Sequence, residues 1–481
     1  MRFNNLNDWL SWQESLNPKE IDLGLDRVSR VLIQAGLSSS FNCPLITVAG
    51  TNGKGSVVAM LEAMAMSAGL DVCCYTSPHI FKYNERIKIN GQPVDDDVLC
   101  AAFERLDQAR GDNQLTYFEF GTLAAIDLFF KQQPDLVILE VGLGGRLDAV
   151  NIMDSDVSVL TSVAIDHVEW LGDNRESIGY EKAGVFRSGK PVICGEPDVP
   201  ASVVQRADEL QCEFIRLGRD YKVNINDADG CWSLKSCYAG LSDLPEPCLT
   251  GQFQYANAAT AVMALQALQA KKLLPGMQSM KPFRAVIASA LKQISLPGRF
   301  QQIHTKPQVY VDVAHNLQAA QALASQLKSS AVAGVSDDSR TWGRTWAIVA
   351  MLADKDIKGV IESLSAEIDN WCFAGLENTP RGLSVRALIE SLPDDFIHDD
   401  FFRVTRQENQ CKILSDAILP AESVKQACAL VLSKANKNDR IIVFGSFYTV
   451  AEAMGFFSEM DQKIEAKVVE SIGVYKKKGG L

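Results

Sequence analysis

A lysine set between glycines at a strand-to-helix turn is the first feature able to do chemistry: Gly50-Thr51-Asn52-Gly53-Lys54-Gly55-Ser56. The backbone N–H groups of such a turn and the N-terminus of the following helix converge on phosphate oxygens, and Lys54 adds a point charge near the terminal phosphates. Gly53, Lys54, Gly55 and Ser56 are therefore read as nucleotide ligands. The pattern G-x-x-x-x-G-K-[ST] would require glycine where Val48 stands, so the loop is a shortened variant. A turn that merely lets a strand enter a helix is the competing reading, and it leaves the lysine unexplained. Glu140 ends the apolar run Leu136-Val137-Ile138-Leu139 and precedes Val141-Gly142-Leu143-Gly144-Gly145-Arg146-Leu147-Asp148. In an open α/β sheet ligands bind outside the carboxyl ends of strands, where a carboxylate suits a magnesium ion bridging phosphates. The alternatives for Glu140 are a helix cap or a pair with Arg146. Asp166-His167 follows the run Val157 to Ser162 in the same relative position, and a neutral His167 imidazole is able to ligate a metal. Thr76-Ser77-Pro78-His79 follows Asp71 to Tyr75 and is by itself only a turn.

These groups need strands to end beside one another. Leu45 to Ala49 reads as a buried strand, followed by the loop and a helix from Val57 to about Ala68. Further short apolar strands at Leu136 to Val141, Val157 to Thr161 and Pro191 to Cys194 are separated by helix-length segments. That alternation predicts an α/β fold: an N-terminal, mostly parallel P-loop-type ATPase domain. Beyond Leu296-Pro297-Gly298 the pattern restarts with Val309 to Val313, Trp346 to Met351 and Arg440 to Phe444, which predicts a smaller C-terminal α/β, Rossmann-like domain. The boundaries are 1–296 and 297–481. Gly218 to Asp243 is strand-like without a recognisable site. Ser329 to Arg344 reads as a surface insertion and Lys476 to Gly480 as a solvated, disordered end.

At 481 residues the chain exceeds the size at which one core stops growing. With 47% hydrophobic and 22% charged residues it is ordinary for a globular protein, and no apolar run approaches the ~20 residues a membrane helix needs. A net charge of −12 argues against nucleic acid, whose binding rests on phosphate neutralisation. The polar start Met1-Arg2-Phe3-Asn4-Asn5 lacks the layout of a secretory signal, so a cytoplasmic protein is expected. Its 12 cysteines form no Cys-x-x-Cys pair and read as reduced thiols.

Taken together, Gly50 to Ser56, Thr76 to His79, Glu140 to Asp148, Asp166-His167 and Glu181-Lys182-Ala183-Gly184 occur in the order and spacing of the folylpolyglutamate synthase and dihydrofolate synthase family, within the Mur ligase superfamily. The resemblance runs from about Ile21 to Thr449. It implies that Ser77, Glu140 and His167 bind magnesium, as two ions, and that Lys54 and the loop amides hold the phosphates of ATP, the co-substrate. It also implies that Lys182 is carbamylated. An ordinary lysine would bring a repelling cation beside the metal, whereas addition of carbon dioxide makes an anion. Without the resemblance Lys182 reads as a surface cation on a helix. Asn257, Arg299 and Asp312 carry over as ATP contacts, and Lys54, Lys182, Arg299 and His315 as the catalytic set. Arg299 also makes sense alone, as a planar cation stabilising a transferring phosphoryl group, against a salt bridge at the domain boundary. His315 stands between binding and packing.

Three segments resemble the pterin side of that site: Asp22-Leu23-Gly24-Leu25, Thr116-Tyr117-Phe118-Glu119 and Arg146-Leu147-Asp148. Phe118 is expected against a flat heterocycle, with burial in the core as its alternative, and Asp148 as an acceptor for an aminopterin edge. The family shows Ala-Thr-Asn after this aspartate, whereas this chain has Ala149-Val150-Asn151. Gly145 to Asp148 resembles the bifunctional bacterial form, in which Asp148 would help select dihydropteroate. The implied reaction is ATP-dependent joining of L-glutamate to dihydropteroate and to reduced folates through an acyl phosphate, by a monomer that closes its domains to exclude water. Its rivals are a cell-wall Mur ligase and a nucleotide-dependent switch.

Overall fold

The computed structural model describes residues 2–17, 19, 21–226, 230–274, 282–332, 343–393, 404–407, 410–413 and 418–478. The chain divides into two compact units, Met1–Leu296 and Pro297–Leu481. Most of the segment Ser329 to Arg344 lies outside the described residues. The C-terminal end departs from expectation, because the helix Phe447–Lys478 takes in Lys476 to Lys478.

The first unit is built on eight strands: β1 Leu45–Ala49, β2 Val72–Tyr75, β3 Ile87–Ile89, β4 Gln92–Pro93, β5 Leu136–Glu140, β6 Val157–Leu160, β7 Pro191–Cys194 and β8 Glu213–Arg216. Their spatial order is β4-β3-β2-β5-β1-β6-β7-β8, parallel from β2 to β8, with β3 and β4 antiparallel at one edge. All five residues of β1 and of β5 are buried, as befits strands covered on both faces. Side chains alternate between two cores: Leu45 and Ala49 join one, Ile46 and Val48 the other. The first core takes in the helices Leu6–Leu16, Asp96–Arg110 and Tyr117–Gln132. The second packs the helices Lys54–Ser67, Gln252–Ala270 and Phe283–Leu291. The strand-like stretch after Gly218 forms an antiparallel sheet of β9 Tyr221–Asn226, β10 Cys231–Ser236 and β11 Leu241–Pro245. With β5 and β6 on either side of β1, the sheet has a switch point, and the loops after β1, β2, β5 and β6 leave its carboxyl edge together.

The second unit carries β12 Gln301–Thr305, β13 Gln308–Val311, β14 Thr345–Val349, β15 Asn370–Ala374, β16 Val404–Gln407, β17 Gln410–Ile413, β18 Ile418–Ala421 and β19 Arg440–Phe444. Six form one sheet in the order β12-β13-β19-β14-β15-β18, parallel except for β12, while β16 and β17 pair separately. Helices Ile357–Leu364 and Leu317–Val332 pack on this sheet through a core that includes Val349, Phe373 and Phe444. Among the described residues no helix is long and apolar enough to cross a membrane.

Candidate functional site

The loop after β1 is latched to the end of β6. Thr51 N donates to Ser162 O at 2.9 Å and Asn52 N to Ser162 Oγ at 2.9 Å. Thr161 Oγ1 and Ser162 Oγ both donate to Asn52 O, at 2.6 and 3.1 Å. Gly53 sits at φ 86°, a left-handed conformation that suits glycine, and as the cap of the helix Lys54–Ser67 brings no side chain of its own to bond the first amides. Those amides are the groups a phosphate would use. Lys54 Nζ donates to Gly50 O at 3.0 Å and Thr51 O at 3.2 Å, folded over its own loop. Asn257, on the helix Gln252–Ala270, faces this loop closely: a Cβ at Gly53 would stand 2.8 Å from Asn257 Oδ1.

Glu140 and Ser77 come together where β5 and β2 end. Ser77 N donates to Glu140 Oε2 at 3.4 Å, and Glu140 is buried. Glu140 and Arg146 do not pair. Arg146 instead donates through Nε and Nη2 to Glu181 Oε1, at 3.0 and 2.8 Å. His167 follows β6, so it and Glu140 leave the two strands flanking β1. It adopts φ 51°, and its N–H donates to Asp166 Oδ1 at 2.8 Å. Among the described residues no group of three or more His, Cys, Asp and Glu side chains forms a cage for a metal ion. A buried carboxylate at the backbone of a serine nevertheless fits a hard cation that takes its remaining oxygens from phosphates and water.

Lys182 overturns the surface reading. It is 3% exposed. Burial, and next the charge of Lys54, push its amine from 10.5 down to about 7, against the attraction of Asp166 and Asp148. Its side chain thus feels the phosphate loop and two of the expected site segments at once. Asp148 is buried as well, and burial raises its carboxyl to about 6. Its Oδ2 accepts from Leu143 N at 2.8 Å and its Oδ1 from Val150 N at 3.0 Å. The carboxylate expected to receive a pterin edge therefore also holds the loop after β5 in shape. Val150 is fully buried in the first core, where the hydroxyl of a threonine would need a partner.

The other two pterin-side segments meet through a residue the sequence reading passed over. Arg27 donates from Nη1 to Asp22 Oδ2 at 2.6 Å and from Nε to Glu119 Oε2 at 2.8 Å, and its Nη2 also reaches Asp22 O. Glu119 closes a capping box, accepting from Thr116 N at 2.8 Å while Glu119 N donates to Thr116 Oγ1. Neither Asp22 nor Glu119 is thus a bare acceptor. Leu23, Gly24 and Leu25 link Asp22 to the helix Asp26–Gln34 and are half-buried. Phe118 is only partly buried and packs on the loop after β5; a Cβ at Gly142 would stand 2.6 Å from Phe118 Cζ. Tyr75 lies 5.9 Å from it, centroid to centroid. Tyr117 takes the Arg86 guanidinium over its face at 5.6 Å, and Leu147 is half-buried in the same loop as Arg146. Arg86 Nε donates to His79 Nδ1 at 2.9 Å, and burial followed by the charge of Arg86 lowers His79 to about 4, a neutral ring. A charge-bearing residue on a helix gives no signal in sequence for a partner such as Glu119, which lies far away along the chain.

In the second unit Asp312 ends the run after β13. Its Oδ2 accepts from Phe300 N and its Oδ1 from Ala314 N, each at 2.8 Å. Burial raises its pKa, opposed first by the charge of Arg299 and more weakly by His315, so the three sequence-selected residues form one cluster. Arg299 lies over the Phe447 ring at 5.5 Å, and His315 Nδ1 donates to Val313 O at 2.8 Å.

A glycine-rich loop beside strand-end polar groups on one α/β sheet, and a second strand-end cluster on another, define the class, and family models agree: the Mur ligase middle domain matches residues 48–265 and the Mur ligase glutamate ligase domain residues 298–447. A dihydrofolate synthase/folylpolyglutamate synthase of Escherichia coli is 42% identical over 93% of this chain and 94% of its own. The structure of E. coli FolC in complex with DHPP and ADP is 39% identical, covers 95% of this chain and 99% of that one, and has a TM-score of 0.81. A bifunctional folylpolyglutamate synthase/dihydrofolate synthase with Mn, AMPPNP and L-glutamate bound is also 39% identical, covers 94% and 98%, and has a TM-score of 0.79. The chain belongs to the dihydrofolate synthase/folylpolyglutamate synthase family of Mur ligases.

Proposed function

We propose that this chain is an ATP-dependent ligase that joins L-glutamate to dihydropteroate, giving dihydrofolate, and to reduced folates, giving polyglutamates. The observation that carries this reading is the buried Lys182, its proton affinity lowered beside Lys54 and between Asp148 and Asp166 at the carboxyl edge of the sheet. The neutral amine is the form able to add carbon dioxide, and a lysine lowered to about 7 holds a large share of it near neutral pH; the resulting carbamate replaces a cation with an anion. ATP lies with its phosphates on the amides of Gly53 to Ser56, beside Lys54 and Asn257. Ser77, Glu140 and His167 would hold magnesium, as two ions, whose chemistry is to neutralise phosphate charge. A relative's structure with Mn, AMPPNP and L-glutamate bound supports a divalent cation and these substrates.

The pteroate or folate carboxylate attacks the γ-phosphorus, and the bond to the bridging oxygen breaks, releasing ADP. The glutamate amine then attacks the acyl carbon and phosphate leaves with the electron pair of the C–O bond, while the amine loses a proton. Placement and charge carry such a transfer, and Lys54, Arg299 and Asp312 supply it. His315 joins Arg299 and Asp312 as a binding residue, and Lys182 acts as an anion once carbamylated. The pterin lies against Phe118, between the segments Asp22 to Leu25, Thr116 to Glu119 and Arg146 to Asp148. The reading further places the enzyme in the cytoplasm as a monomer, in keeping with free, buried cysteines such as Cys73, Cys74 and Cys194. Phosphate release measured with ATP and magnesium tests the ligase: it is expected only when both glutamate and a pteroate or folate are present. Release independent of glutamate would leave a nucleotide hydrolase or switch instead.

A further inference from the structure

We propose that Gln254 is a positioning residue for nucleotide binding, tying Asn257 to Ser56 so that the Ser56 hydroxyl is aimed outward as a phosphate donor. This rests on the reading that ATP binds at the loop after β1. Gln254 and Asn257 stand three residues apart on the helix Gln252–Ala270 and so share a face. Gln254 is 0% exposed. Its Oε1 accepts from Asn257 Nδ2 at 3.0 Å and its Nε2 donates to Ser56 Oγ at 3.4 Å. Donation runs one way along this chain, from Asn257 through Gln254 to Ser56.

Ser56 has one hydroxyl proton, and with Gln254 as its donor that proton has to go elsewhere. The carbonyl one helical turn back is the usual acceptor for a serine, and here it is Asn52 O. That oxygen already accepts from Thr161 Oγ1 and Ser162 Oγ, which fill both lone pairs. The Ser56 hydroxyl is therefore left to donate to a group that enters the loop, and an incoming phosphate oxygen is the acceptor the loop amides select. At the other end, Gln254 fixes the Asn257 amide with Oδ1 toward Gly53. One buried side chain thus sets two nucleotide contacts that lie on different helices.

The test is calorimetric titration of ADP into wild type, Gln254→Leu, Ser56→Ala and the double variant, with KM for ATP and for glutamate alongside. Gln254→Leu is expected to weaken ADP about tenfold and raise KM for ATP similarly, leaving KM for glutamate unchanged. In the Ser56→Ala background the same substitution should cost clearly less than tenfold, because both act through one hydroxyl. Gln254→Glu keeps the shape but offers Ser56 an acceptor, reversing its proton, so it should weaken ADP at least as much as Leu does. Fully additive losses, or wild-type affinity in Gln254→Leu, would overturn the proposal. A variant with a collapsed melting temperature would be read from Gln254→Glu, whose packing is nearly isosteric. Wild type that binds no adenine nucleotide would instead remove the reading of the loop itself.

Discussion

Lys182 owes its chemistry to where its carbons are buried, and the same burial makes it a reporter of the folded state. Its amine binds a proton at about 7 in the folded chain and at 10.5 when unfolded. Between those values the unfolded chain holds more protons, so the stability contributed by Lys182 rises with pH from about 7 toward 10.5 and is lowest below 7. In buffers free of carbon dioxide, the stability of wild type relative to Lys182→Met should therefore increase as pH is raised from 7 to 9.5. Parallel curves would show an amine of ordinary affinity. In turnover, Lys182→Ala should be nearly inactive, with partial recovery in a high concentration of a short carboxylic acid, whereas active protein whose intact mass shows only unmodified lysine would remove the carbamate. Glu140→Ala and His167→Ala should each lose most ligase turnover while melting near wild type, since Glu140 ends β5 and His167 caps the short helix Val168–Leu171, and neither belongs to the apolar cores. Near-normal turnover of either would withdraw its role as a metal ligand. Lys54 and Glu140 were legible in the sequence because an apolar run ends just before each. The burial of Lys182 was not, because a short helix with a lysine on it looks the same whether or not another loop covers it.

At the scale of elements, the loop after β5 is held by side chains whose partners come from elsewhere. Gly142 leaves room for the Phe118 ring, so Gly142→Ala should push that ring aside and raise KM for dihydropteroate several-fold, with KM for ATP unchanged. Equal effects on both would mean that the loop serves nucleotide as much as pterin. Arg27 joins the segment before the helix Asp26–Gln34 to the cap of the helix Tyr117–Gln132. Arg27→Ala should weaken dihydropteroate about tenfold, because it leaves the buried Glu119 carboxylate without its cation. An unchanged KM would show that the two segments hold their places without it. The strands themselves were readable, since β1, β5, β6 and β7 are largely apolar runs followed by polar turns. Asp148 was readable as a site residue but not as an anchor: its bonds to Leu143 N and Val150 N depend on a loop shape that no periodicity encodes.

For the whole molecule, the two α/β sheets were legible from the restart of the strand pattern after Leu296, and the division of the chain falls between Leu296 and Pro297. The central claim is a reaction, and masses of its products test it most directly. Purified protein would be incubated with ATP, magnesium and L-glutamate, with dihydropteroate offered in one reaction and a reduced folate in another, and the products weighed. The account predicts one added glutamyl residue on dihydropteroate, one or more on the folate, and formation of ADP in both. Glutamylation of the folate alone would contradict the bifunctional reading, and ADP formed without any glutamylated product would contradict the ligase.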